Sequence, residues 1–217
     1  MAFNQNELWN TKAIGFVTRA RQELWGKHNA GIMAFLFERG LSNKTAEKLL
    51  LGWNRRGKLR SAESWGLDPG KVTSEEGKIF FPEGIVVPYV LEEQLRKITI
   101  VVCDEDSSAA KQLIVEGSQP ISMVYGKTGS DVNTVVVDNI LDGFFVLQEL
   151  GENTCLVIPH DLSEVPDDFT AGQLVNSGSI TFLTHREGKS CEKWSEKFAH
   201  STIKTYGTRG ELETIIR

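Results

Sequence analysis

Cysteine is scarce in this chain. There are three in 217 residues, Cys103, Cys155 and Cys191, odd in number, far apart and without a C-x-x-C pair. That pattern excludes a disulfide framework and a zinc ribbon, and it suits a reducing cytoplasm. Each cysteine lies in an apolar or helical stretch, so packing is the expected role of all three. Long hydrophobic runs are missing too: none approaches the roughly 20 residues that cross a bilayer. The opening MAFNQNELWNTKAIGF has neither the basic start nor the continuous apolar stretch of a signal peptide. The expectation is a cytoplasmic protein with no membrane partner. There is no G-x-x-x-x-G-K-[ST] loop, and the short turns KTGS (127–130) and EGS (116–118) are too brief to mark a phosphate site. No Ser-His-Asp or Cys-His arrangement, internal repeat or low-complexity tract stands out.

What is present is an ordinary globular composition, 40% hydrophobic and 24% charged, in a length that holds one large domain or two small ones. The net charge of −5 is unevenly spread, with +7 over residues 1–62 and −12 over 63–217. A basic head on an acidic body is a reason to look for an anionic partner near the N-terminus, although a solvated helical face reads the same way.

Apolar residues from Leu8 to Phe37 recur at helical spacing, interrupted at Gly26–Asn29, which predicts two helices. A third, short helix should start at Ser42 as N-cap and stop at Gly52. Residues 54–77 are polar and rich in Gly, Ser and charge, as in a connector. Strand-like runs follow in KIFFPEGIVVPYV, LRKITIVV and KQLIVEGS. After residue 130 the pattern changes to strand and helix in alternation, four times over. TVVVD, TCLVIP, SITFLT and TIKTY are the strands, and the segments between and after them are the helices. That alternation predicts a parallel sheet with helices on both faces. Strands near 134–138, 155–159 and 180–184 should be neighbours, with helices near 140–150 and 189–199 packed on them.

At the carboxyl ends of such strands, where ligands bind in open α/β sheets, stand Asp138 and Asp142, four apart across a strand-to-helix turn. They can face one crevice. Alternatively, Asp138 caps the next helix through the Asn139 and Ile140 N–H groups. An alternative metal set of Asp138, Asp142, His160, Asp161, His185 and Glu187 has acceptable zinc or manganese donors on neighbouring strand ends. Arg55, Arg56, Lys58 and Arg60, flanked by Trp53 and Trp65, form a basic cluster. Positive charge beside aromatic faces can track a nucleic-acid backbone and stack its bases; the alternative is a solvated connector with its tryptophans in the core.

The order RGL, LGW, WGL, FPEGIVVPY and EGS resembles the catalytic core of DnaG-type primases carried by mobile elements. TVVVDNILDGFFVLQELG resembles the first Toprim motif, and SITFLTHREGK the second. The likeness runs over roughly residues 9–200, and the zinc-binding domain that commonly precedes this core has no counterpart here. It implies a Toprim-like Rossmannoid parallel sheet over 130–217, preceded by a mixed helical and β subdomain over 1–125. Asp138 falls where the family has its catalytic Glu. Asp142 falls on the retained aspartate of the LDAL string, with Gly143 in place of alanine. Thr184 and Arg186, with His185 between them, fall on the two metal-binding aspartates. Mg²⁺ or Mn²⁺ wants hard oxygen ligands, which a hydroxyl and a guanidinium do not supply as a pair of carboxylates would. The resemblance therefore implies a primase-like protein with a degenerate catalytic site and no cofactor. It would act in mobile-element or phage replication, by holding single-stranded DNA or docking on a replication protein. Two alternatives stand beside it: an active metal-dependent nucleotidyltransferase or nuclease with displaced ligands, and an interaction module that keeps only the fold. In the degenerate case Arg186, or Lys189 if its reach is better, should pair with Asp142 or Asp138 where the family binds metal.

Overall fold

The computed structural model describes residues 6–74, 76–102, 111–186, 191–198 and 200–217. Residues 1–38 with 42–120 make one compact unit, and residues 39–41 with 121–217 a second.

In the first unit, α1 (Glu7–Leu24) starts at Asn6, whose side chain accepts from the Leu8 N–H, and buries Trp9, Ala13, Val17, Ala20 and Leu24 along one stripe. Those residues follow the three-four spacing of a helix with one apolar face. Next come α2 (Ala30–Glu38) and α3 (Asn43–Lys48), the latter capped by Ser42 as expected. The stop comes earlier than Gly52. Leu50 takes a left-handed φ of 57°, and Gly52 opens β1 (Gly52–Asn54). A Cβ on Gly52 would lie 2.7 Å from Ala20 Cβ, so this glycine permits close crossing of helix and strand.

The expected connector holds a strand. β2 (Lys58–Ser61) pairs antiparallel with β3 (Lys78–Phe81) as a two-stranded ribbon. All four β2 residues are exposed, so the sequence carries no buried alternation to reveal it. β4 (Gly84–Leu91), β5 (Gln94–Val102) and β6 (Lys111–Ile114) complete an antiparallel sheet of order β1-β4-β5-β6. The α1 stripe packs with Trp65, Phe81, Val86, Ile98, Ile100 and Val115 in one core.

The second unit is the alternating part: β7 (Met123–Tyr125), β8 (Asn133–Val137), α4 (Ile140–Leu150), β9 (Thr154–Ile158), α5 (Asp168–Leu174), β10 (Ser179–His185), α6 (Glu192–Ser195), β11 (Ser201–Tyr206) and α7 (Arg209–Ile216). Its sheet runs β11-β10-β8-β9-β7. β10, β8 and β9 are parallel neighbours as expected, β11 continues the parallel set, and β7 closes the far edge antiparallel. One face packs Val136, Cys155, Val157, Ile180 and Phe182 against Leu174 of α5 and Trp194 of α6. The expected helix at 189–199 is a single turn, α6, among its described residues. Burial pushes the Cys155 thiol up to about 11 and raises that of Cys191, which suits packing residues; Cys103 lies outside the described residues. The mixed α/β architecture with its parallel-containing sheet is the expected one. Among the described residues no helix is long and apolar enough to cross a membrane.

Candidate functional site

Chain order places β9 on one side of β8, and β10 and β11 on the other. The carboxyl ends of β8 and β10 therefore flank the switch point where such sheets bind ligands. Asp138 follows β8 there, and its carboxylate accepts N–H bonds from Asn139 and from His185 at the end of β10. Burial is the main cause of its raised pKa, and the Asp142 charge adds to it, so the two carboxylates share the crevice. The helix cap is Asn139, whose Oδ1 accepts from the Leu141 and Asp142 N–H groups at 3.0 and 3.2 Å. Asp138 is thereby relieved of the capping role.

Asp142, in the first turn of α4, is held from β11 and α7. The Tyr206 hydroxyl donates to Asp142 Oδ2 at 2.8 Å, and Arg209 Nη1 approaches Oδ1 at 3.4 Å. The Arg209 guanidinium carbon lies 3.1 Å from the Phe145 ring centroid, and its Nε is 3.6 Å from Glu213. Burial lowers the Arg209 pKa, while the Asp142 and Glu213 charges oppose that shift. Burial and the Asp142 charge both push the Tyr206 phenol up, so it stays a donor. Gly40, of the RGL string, makes room for this arrangement. It has φ +71°, and a Cβ there would collide with Arg209 Nη2 and lie 3.1 Å from Phe145.

The expected pairing of Arg186 with Asp142 or Asp138 is corrected. Arg186 is 62% exposed and binds Glu211 Oε1 at 2.8 Å. Its backbone N–H bonds the Tyr206 carbonyl, its stem passes over Gly207, and Glu211 in the first turn of α7 captures the guanidinium. Lys189 lies outside the described residues. Thr184 is buried within β10 opposite Thr205. His185 donates from Nε2 to the Gly207 carbonyl at 3.2 Å and packs edge-on to Tyr206. A cation does stand at the Asp142 carboxylate, but it comes from the helix beyond β11. No periodicity reveals that, although a strand-to-helix turn at Tyr206–Arg209 was legible.

These residues do not fit a divalent ion. Both Asp142 oxygens are engaged, Thr184 is enclosed in the sheet, and Arg186 is cationic. Of the alternative metal set, Asp138, Asp142 and His185 lie at this crevice, but the His185 ring bonds the Gly207 carbonyl, and the other described members are engaged elsewhere or exposed. Asp161 Oδ1 accepts from the N–H and hydroxyl of Ser163, His160 is exposed, and Glu187 lies outside the described residues. Among the described residues no three His, Cys, Asp or Glu side chains could hold a metal ion.

In the first unit the basic cluster is assembled. Trp53, Arg55, Arg56, Lys58 and Arg60 line one groove of about 290 Å³ with Phe16, Arg19, Ala20 and Glu23 of α1, and with Trp65 and Phe81. Trp53 is half-buried there. Trp65 is a core residue, 4.8 Å from the Phe81 ring. Arg19 was not singled out from the sequence, although Phe16, Arg19, Ala20 and Glu23 follow the i, i+3, i+4, i+7 rule of a single helix face.

The sequence matches no family model and no curated protein. Its fold is the Toprim-like fold of DnaG primase catalytic cores. The structure of the DnaG catalytic core is similar with a TM-score of 0.65 at 15% identity, covering 97% of this chain and 75% of that one. A DNA primase domain from Pseudomonas aeruginosa gives 0.63 at 12% identity, covering 96% and 74%. The DnaG primase catalytic domain bound to ssDNA gives 0.59 at 14% identity, and there this chain covers 83% of itself and spans 64% of that domain.

Proposed function

We propose that this protein is a primase-core relative that holds single-stranded DNA in the groove of its first unit and does not carry out metal-dependent nucleotidyl transfer. The observation that carries the binding half is the groove itself. Five cations, Arg19, Arg55, Arg56, Lys58 and Arg60, line it against one acid, Glu23, in a chain whose net charge is −5. Such a concentration of charge attracts phosphates, and the indole of Trp53 offers a face for a base. The similar primase domain bound to ssDNA supports the same ligand class. The non-catalytic half rests on Asp142, whose oxygens face Tyr206 and Arg209, and on the hydroxyl and guanidinium at 184 and 186. A role in mobile-element or phage replication goes with the RGL and LGW segments.

The test is single-stranded DNA binding at several salt concentrations, for the wild type and a variant with Arg55, Arg56, Lys58 and Arg60 changed to Ala. Each phosphate contact removed should lower the salt slope by roughly 0.7, so the four together should lower it by up to about 2.8. Equal affinity and slope in both proteins refutes the groove as the site. No binding by the wild type would point to the interaction-module reading. Nucleotide incorporation with Mg²⁺ or Mn²⁺ that is lost in Asp138→Ala would establish the active-enzyme reading instead.

A further inference from the structure

Two-residue alternation separates the β2–β3 ribbon into unlike faces. In register, Lys58 faces Phe81, Leu59 faces Phe80, and Arg60 faces Ile79. Ile79 and Phe81 turn into the core, at 0% and 2% exposure. Their cross-strand partners Lys58 and Arg60 reach the groove. On the opposite face, where water-loving residues are the ordinary choice, Leu59 is 55% exposed and Phe80 47%. They form a directly opposed apolar pair. The Phe80 ring lies beside Gly57, where a Cβ would sit 3.5 Å from ring atom Cε2. The ring therefore borders the Arg55-Arg56-Gly57 turn, next to two of the groove's cations and on the ribbon face opposite the one from which Lys58 and Arg60 reach the groove.

We propose that Phe80, supported by Leu59, is a base-stacking platform at the mouth of the groove, so that a strand whose phosphates follow Arg55, Arg56, Lys58 and Arg60 lays a base on the Phe80 ring. This rests on the proposed function and adds a second aromatic face for a base beside that of Trp53. The occupant follows from charge and shape. Four cations in the six residues 55–60, with no acid among them, require a polyanion, and an exposed ring beside them requires flat apolar surfaces on that same ligand. Single-stranded nucleic acid has both, whereas a duplex hides its base faces between pairs. An anionic membrane surface also joins charge to apolar matter. But the cations here line a concave groove walled by Phe16 and Ala20, which suits a thread more than a plane.

The experiment uses the full chain, a labelled 20-nucleotide oligothymidylate, an abasic oligomer of equal phosphate count, and vesicles of phosphatidylserine and phosphatidylcholine. Phe80→Ala should weaken oligothymidylate binding roughly 5- to 150-fold, the range for one base–aromatic stack, with the salt slope unchanged. The abasic oligomer should bind the wild type and Phe80→Ala equally. Phe80→Trp should keep the affinity and show, on binding oligothymidylate only, indole quenching beyond that of the wild type, whose Trp53 already lines the groove. If the wild type binds with a steep salt slope and Phe80→Ala binds equally well, the platform is wrong and the groove survives. If the wild type does not bind at all, both fall. Vesicle binding by the wild type that Phe80→Ala abolishes, with oligothymidylate binding unchanged, assigns the ring to a membrane and overturns the proposal.

Discussion

Replacing Arg209 by Met keeps most of the stem and removes the charge beside Asp142. The ion pair it breaks has side chains 25% and 14% exposed. It therefore falls between surface pairs, worth about 0–1 kcal/mol, and fully buried ones, whose disruption costs about 3–5 kcal/mol. Its geometry is loose at 3.4 Å, and the Tyr206 hydroxyl still holds the carboxylate in the variant, so about 2 kcal/mol is a fair figure. Loss of the guanidinium from the Phe145 face adds about 0.5–1 kcal/mol. Urea unfolding should therefore show Arg209→Met destabilised by about 2.5–3 kcal/mol. The variant also leaves two neighbouring carboxylates, Asp138 and Asp142, without their cation. An ion that binds only the native state stabilises it by RT ln(1 + [L]/Kd). With a Kd of about 1 mM, 10 mM Mg²⁺ would restore about 1.4 kcal/mol to Arg209→Met and leave the wild type unchanged. Thermal melts with and without Mg²⁺ read this directly. A clear Mg²⁺-dependent rise in the wild type, or a variant as stable as the wild type, refutes the view that Arg209 stands in for a metal.

Two further perturbations follow from pKa shifts of opposite sign. Burial raises the Asp138 pKa above its ordinary 3.8, so its ionised form costs stability, and that cost appears as pH rises from 3.8 through the folded value. Asp138→Asn should thus be more stable than wild type at pH 7, with the gap closing toward pH 4; equal stability at both pH values would contradict this. Asp167, the N-cap of α5, is pushed up by burial, but the Thr170 and Ser122 donors outweigh this and hold its pKa below 3.8. Its stabilising effect is present above 3.8 and lost as pH falls through the lower folded value. Asp167→Asn should cost about 1–2 kcal/mol at pH 7 and progressively less in acid, by urea titration across that range.

Local pattern determined much of this protein. The three-four stripe of α1, the Ser42 cap and the β-α alternation after residue 130 are properties of neighbours in the chain. Burial of one face per element makes such properties readable from sequence alone. The basic run 55–60 was legible for the same reason, since its charges are adjacent. Tertiary structure decided the rest. β2 was hidden because neither of its faces is buried, and the groove gained Phe16 and Arg19 only through the packing of α1. Which cation meets Asp142 depended on distances between residues 67 positions apart. From sequence, Arg186 and Lys189 are the candidates, because they stand at the end of the neighbouring strand; Arg209 is not among them. In the fold, Glu211 lies within hydrogen-bond reach of Arg186, whereas Gly40, lacking a Cβ, leaves the space in which Arg209 lies over Phe145 and meets the carboxylate.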